Sequence, residues 1–179
     1  MIKGLVFTEL LALVEEKFGL EVLDQLLEQS ELSTQGVYTA VGTYPFADMQ
    51  ELVTRLSAIT GLETADLLKT FGRHMFQVFV TQYPQFFAGI EHPFALLEQI
   101  DRHIHVEVKK LYPDAELPRF STKTENGEME LIYRSNRRMA DLAQGLIHAA
   151  FDHYGIKAKM ERENLQADGS GVRFFLKEE

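Results

Sequence analysis

The hydrophobic period of this chain breaks at the segment from Pro113 to Pro118. Before it, apolar residues recur at the three- and four-residue spacing of helices; directly after it they alternate. A proline ring fixes φ and removes a backbone donor, so a helix arriving through Val108 and Leu111 cannot cross this pair. Asn126-Gly127 announces what comes next, because that dipeptide between alternating residues is the strongest short hairpin signal. Met129, Leu131 and Tyr133 then fall on one strand face, alternating with Glu128, Glu130 and Ile132. Helices first and an antiparallel sheet last predict an α+β fold.

Within the helical part, Phe7, Leu11, Val14 and Phe18 form a stripe stopped at Gly19, and Val22, Leu23, Leu26 and Leu27 a second, shorter one. Ser30 to Pro45 is polar and turn-rich and reads as a long loop. Met49 to Ile59 predicts a helix ended by Gly61, and Leu68 to Phe79 another stopped near Tyr83-Pro84. Pro93 opens a helix expected to run unbroken to about Leu111. Past the hairpin, Met139 to Tyr154 is a long helix, and strands are expected over 156–165 and 172–176, joined across Asp168-Gly169.

Composition removes several kinds of function. A formal net charge of -9 disfavours nucleic acid and anionic membrane as partners. Cysteine is absent, which excludes disulfides, Cys-ligated zinc, iron–sulfur clusters and thioether-linked haem. No run of about 18 apolar residues exists to span a membrane, and no signal peptide is visible, so a cytoplasmic protein is expected. Nucleophile–base motifs, a P-loop and a dinucleotide fingerprint are all missing.

Two clusters could carry chemistry. Three of the nine arginines fall within Tyr133-Arg134-Ser135-Asn136-Arg137-Arg138. If the strand continues that far, its period of two aligns Tyr133, Ser135 and Arg137, a donor set suited to carboxylate or phosphate. A sheet edge whose arginines pair with nearby glutamates is the plainer alternative. The second cluster is His103-Ile104-His105. On a helix these histidines stand about 200° apart, so they cannot share one metal, but one can face a cavity while the other meets solvent. Periodicity does not choose: His103 lies over Leu96 and Ile100, His105 over Val108 and Tyr112. His74, His148 and His153 receive no role. The aromatic run from Phe71 to Phe94 fits core packing as well as a flat apolar ligand.

Taken together, these residues resemble the H-NOX family, the haem–nitric oxide/oxygen binding domains of bacteria and of soluble guanylate cyclase. Tyr133-x-Ser135-x-Arg137 is similar to the family's YxSxR haem-propionate motif. His105, ahead of Leu111-Tyr112-Pro113 and Pro118, has the spacing of its proximal histidine, and His103 does not. The Met1–Gly4 start, Tyr83-Pro84-Gln85-Phe86-Phe87 and Gly145 also fit, so the likeness spans nearly the whole chain. It implies one haem domain with a helical distal subdomain over 1–62, a proximal subdomain with the sheet over 63–179, and haem buried between them.

The resemblance further implies non-covalent b-type haem with His105 as its iron ligand. Tyr133, Ser135 and Arg137 would hold the propionates, and Pro118 would press on the porphyrin. Val6, Leu10, Phe79, Leu142 and Leu146 would line the distal side. Oxygen-binding members carry a distal tyrosine where this chain has Leu142. Many bacterial members also carry a cysteine-ligated zinc, which this chain has no residues to make. The expected ligands are therefore nitric oxide and carbon monoxide. In the family, nitric oxide breaks the iron–histidine bond and frees the proximal helix, and signalling in trans reaches a histidine kinase or a diguanylate cyclase. Alternatives are a haem enzyme, peroxidase-like or nitric oxide-consuming, and a haem-free domain binding another small apolar acid.

Overall fold

A computed structural model describes all residues, 1–179. The fold is α+β, as the change of period predicts. A short strand β1 (Ile2–Lys3) leads into helices α1 (Gly4–Phe18) and α2 (Leu20–Gln29). Strand β2 (Thr43–Tyr44) pairs antiparallel with β1, and α3 (Phe46–Thr60) and α4 (Thr64–Gln82) follow. After a 3₁₀ turn over Pro84–Phe86 come α5 (Pro93–Gln99), a π-helical turn (Ile100–Ile104) and α6 (His105–Leu111). The rest is β3 (Arg119–Glu125), β4 (Glu128–Arg134), α7 (Ala140–Tyr154), β5 (Ala158–Asn164) and β6 (Gly171–Glu178). The sheet is antiparallel throughout, in the order β3-β4-β6-β5.

Three expectations change. The stretch from Ser30 to Pro45 holds a strand and is folded onto the core around Asp48. That buried carboxylate accepts hydrogen bonds from the Ser33 hydroxyl at 2.7 Å and the Tyr38 hydroxyl at 2.9 Å, while the Tyr38 ring stacks on Phe7 at 4.4 Å. Burial is the main reason the Tyr38 hydroxyl is pushed up to about 12. The predicted helix from Pro93 to Leu111 is interrupted by the wide turn before His105. Strand β4 stops at Arg134, and the next residues turn, with Arg138 N–H donating to the Ser135 carbonyl at 3.2 Å and Arg138 at φ 57°.

Two main cores position the rest. One joins Phe7, Leu10, Val14, Leu26, Met49, Leu52 and Leu56 to Phe71 and Met75 of α4. The other places Phe94 and Leu97 of α5 and Ala143, Ile147 and Phe151 of α7 against Met129, Leu131, Tyr133, Val172, Phe174 and Leu176 of the sheet. Between them α4 and α7 cross backbone to backbone. A Cβ on Gly72 would lie 2.2 Å from the Leu142 carbonyl oxygen, and one on Gly145 would lie 2.1 Å from that of Lys69. Only glycine permits that approach. No helix is long and apolar enough to cross a membrane.

Candidate functional site

The wide turn over Ile100–Ile104 separates the two histidines that periodicity could not. His103 is exposed, whereas the His105 side chain is only 20% exposed. The His105 ring lies 5.9 Å from Phe120, whose own ring meets Tyr133 edge-on at 5.6 Å. His105 Nδ1 donates to Asp101 Oδ1 at 2.7 Å, a pairing that puts the ring proton on Nδ1 and leaves Nε2 with no protein partner. Burial lowers the His105 pKa from its ordinary value, partly opposed by the nearby Asp101 charge. A neutral imidazole with one open nitrogen is the form that binds iron.

The donor set is assembled by a turn rather than by strand period. Tyr133 is buried at the end of β4, and its oxygen accepts the Met139 N–H at 3.0 Å. Burial raises its pKa, so the hydroxyl keeps a proton to donate. Ser135, past the strand end, accepts the Arg137 N–H on its Oγ at 3.2 Å. The Arg137 guanidinium, 17% exposed, donates to Glu116 at 3.2 Å and to the Met1 carbonyl. Its neighbours differ: Arg134 is exposed, and Arg138 pairs with Asp168 at 3.1 Å. Glu116, itself 70% exposed and bonded to the chain's first amine, belongs to the 112–118 connection that also holds Pro118. Those interactions, with the amine first and Arg137 second, hold its pKa below the ordinary value.

The five apolar candidates also come together. Leu10 is buried in the first core, and Val6, Phe79, Leu142 and Leu146 pack half-buried against it from α1, α4 and α7. No group of three or more His, Asp or Glu side chains is placed to hold a metal ion. An iron at His105 would need its remaining ligands from a porphyrin. The residues present fit that group: an open, half-buried imidazole nitrogen, an apolar set, and an arginine already engaging a carboxylate, the group a propionate carries.

Sequence reasoning missed two participants, Asp101 and Glu116. An aspartate four residues before a helical histidine is a readable signal. Glu116 had none, because its role depends on the path of the connection between the two prolines.

Comparison with known proteins bears on the family and the fold. The family model described as Haem-NO-binding matches residues 3–162. The Fe(II) unliganded H-NOX protein from K. algicida superposes with a TM-score of 0.95 at 42% identity, covering 99% of this chain and 97% of that one. The H-NOX from Shewanella woodyi in the Fe(II)CO state gives 0.83 at 36%, covering 97% and 93%. For the S. oneidensis protein in the Fe(II)NO state the values are 0.90 and 24%, covering 99% of each chain, a likeness of fold. No curated protein sequence matches. The chain belongs to the Haem-NO-binding family, the H-NOX domains, whose business is haem-based gas sensing.

Proposed function

We propose that this protein holds one b-type haem through His105 and uses it to sense nitric oxide. The observation that carries the reading is the half-buried His105, engaged at Nδ1 and open at Nε2. Bound haem would supply a ferrous iron able to take a diatomic ligand. The chain's own groups then divide the work. His105 ligates, Tyr133, Ser135 and Arg137 donate to the propionates, and Pro118 bears on the ring from the connection after α6. Val6, Leu10, Phe79, Leu142 and Leu146 keep water from the distal side. In this reading residues 1–62 form the distal subdomain and 63–179 the proximal one, in a cytoplasmic protein. A histidine kinase or diguanylate cyclase in trans receives the signal.

The apolar distal set also argues for ligand choice. Oxygen on ferrous haem gathers negative charge and depends on a hydrogen-bond donor, whereas nitric oxide and carbon monoxide need none. Leu142 and Leu146 stand one turn apart on α7 and offer only hydrocarbon. Absence of an acid–base group among these residues also favours sensing over a peroxidase-like activity.

Reconstitution with haem tests both points. The reduced protein should change its absorption spectrum with nitric oxide and with carbon monoxide, and show no lasting change of ligation in air. A lasting oxygen complex would sink the apolar-pocket argument. His105→Gly should lose haem unless imidazole is supplied, and His103→Ala should keep it. The reverse pattern would move the ligand to His103.

A further inference from the structure

The wide turn over Ile100–Ile104 presents one carboxylate to two elements. Asp101 Oδ1 accepts from His105 Nδ1 at 2.7 Å, and Asp101 Oδ2 accepts the Phe120 backbone N–H at 2.8 Å. Both bonds are within ordinary hydrogen-bond length, and Asp101 makes no ion pair with Lys or Arg. Each oxygen therefore has one defined task. Phe120 is the second residue of β3, and its ring stands between the His105 and Tyr133 rings. A single side chain thus fixes the rotation of the imidazole and the start of the strand that follows Pro118.

We propose that Asp101 is a positioning residue for His105: it locks the Nδ1–H tautomer, strengthens Nε2 as an electron donor, and ties this ligand to β3. The proposal rests on the reading of His105 as the haem ligand. Its physical basis is general. A ligating histidine whose other nitrogen donates to a carboxylate is held in one tautomer and one orientation, and becomes more basic than one donating to a neutral acceptor. The wide turn makes this pairing possible together with the strand bond, because it sets the Asp101 carboxylate between the helix and Phe120 N–H.

Asp101→Asn removes the charge and one of the two acceptors. A carboxamide has one oxygen, so either His105 Nδ1–H or Phe120 N–H loses its acceptor, and the charge is lost in both cases. The reconstituted variant should show the iron–histidine stretching band of the ferrous protein at lower frequency in resonance Raman spectra. Its reduction potential should rise, because less charge stabilises the ferric form. Haem should dissociate roughly tenfold faster or more. Thr124→Val is the structural control, since Thr124 donates to Glu98 at 2.5 Å and so makes another helix-to-β3 bond that does not touch His105. It should lower thermal stability and leave the stretching band in place.

A second measurement keeps Asp101 intact. In His105→Gly, added imidazole can donate its free N–H to Asp101, whereas 1-methylimidazole has none to donate. Imidazole should bind about tenfold tighter. Equal affinity, or an Asp101→Asn stretching band and potential matching the wild type, overturns this proposal alone. Wild-type protein that takes up no haem overturns the haem reading, and this proposal with it.

Discussion

The Tyr154 hydroxyl is buried with no hydrogen-bond partner, near Phe76, Phe87 and His153. An unpaired buried donor costs about 1–3 kcal/mol, so Tyr154→Phe should stabilise the protein by up to about that amount, read from urea unfolding. His148 carries the opposite kind of strain. Burial, then the Arg73 charge, lowers its pKa from 6.5, with Lys69 acting in the same direction and Asp152 against it. The unfolded chain therefore takes up this proton first as the pH falls. Stability should decline from about pH 6.5 downward to the lowered native value, and His148→Gln should flatten that part of the profile. Arg137→Ala should weaken haem binding by roughly ten- to a hundredfold, the worth of about 1.5–3 kcal/mol for a charged hydrogen bond. Arg134→Ala and Arg138→Ala should do much less, and equal losses at all three would refute the assigned donor. The residue types of the candidate site stand out in the sequence, while the preference for His105 over His103 came only from the resemblance to the family's spacing. The spacing of Asp101 to His105 was readable, but its bond to Phe120 was not, because a uniform helical period hid the wide turn that holds it.

Among the elements, the α4–α7 crossing sets a tight fit between two helix backbones. Adding a methyl group at Gly72 or Gly145 must push one backbone off the other. Gly72→Ala and Gly145→Ala should each cost about 1–3 kcal/mol or more, measured as a lowered midpoint in urea. Combined, they should cost less than the sum, since either one already opens the shared crossing. The sequence marked Gly145 only as a likeness to the family; its reason is a contact between helices some seventy positions apart, which no local pattern reveals. Periods and stop signals were enough for α1 and α3, which pack on one core, for the hairpin, and for α4 and α7, which are long enough to keep the helical period while facing more than one core. They failed where the packing changes partner within an element. The apolar residues of α5 face the sheet and α7, while 100–111 contains no fully buried residue, so no single stripe runs through both. The donor turn after β4 failed for a related reason: Arg138 adopts positive φ without a glycine to announce it.

On the scale of the whole molecule, a group bound between two cores should hold them together. Haem in thousandfold excess over its dissociation constant would add about 4 kcal/mol, so removing it should lower the melting temperature by roughly 8–16 °C. Equal melting curves with and without haem would contradict a site built into the fold. The two glycines of the α4–α7 crossing carry a last consequence. Helices in backbone contact have no slack, so they open only when the entire domain opens. The segment from Ile100 to Leu111 is held near its start by half-buried Ile100 and Ile104 and by the Asp101–Phe120 bond, with nothing fully buried along its own length. Its amides should exchange with deuterium through small local openings, while those of α4 and α7 wait for global unfolding. Any displacement passed outward would then travel as the swing of an arm from a rigid post.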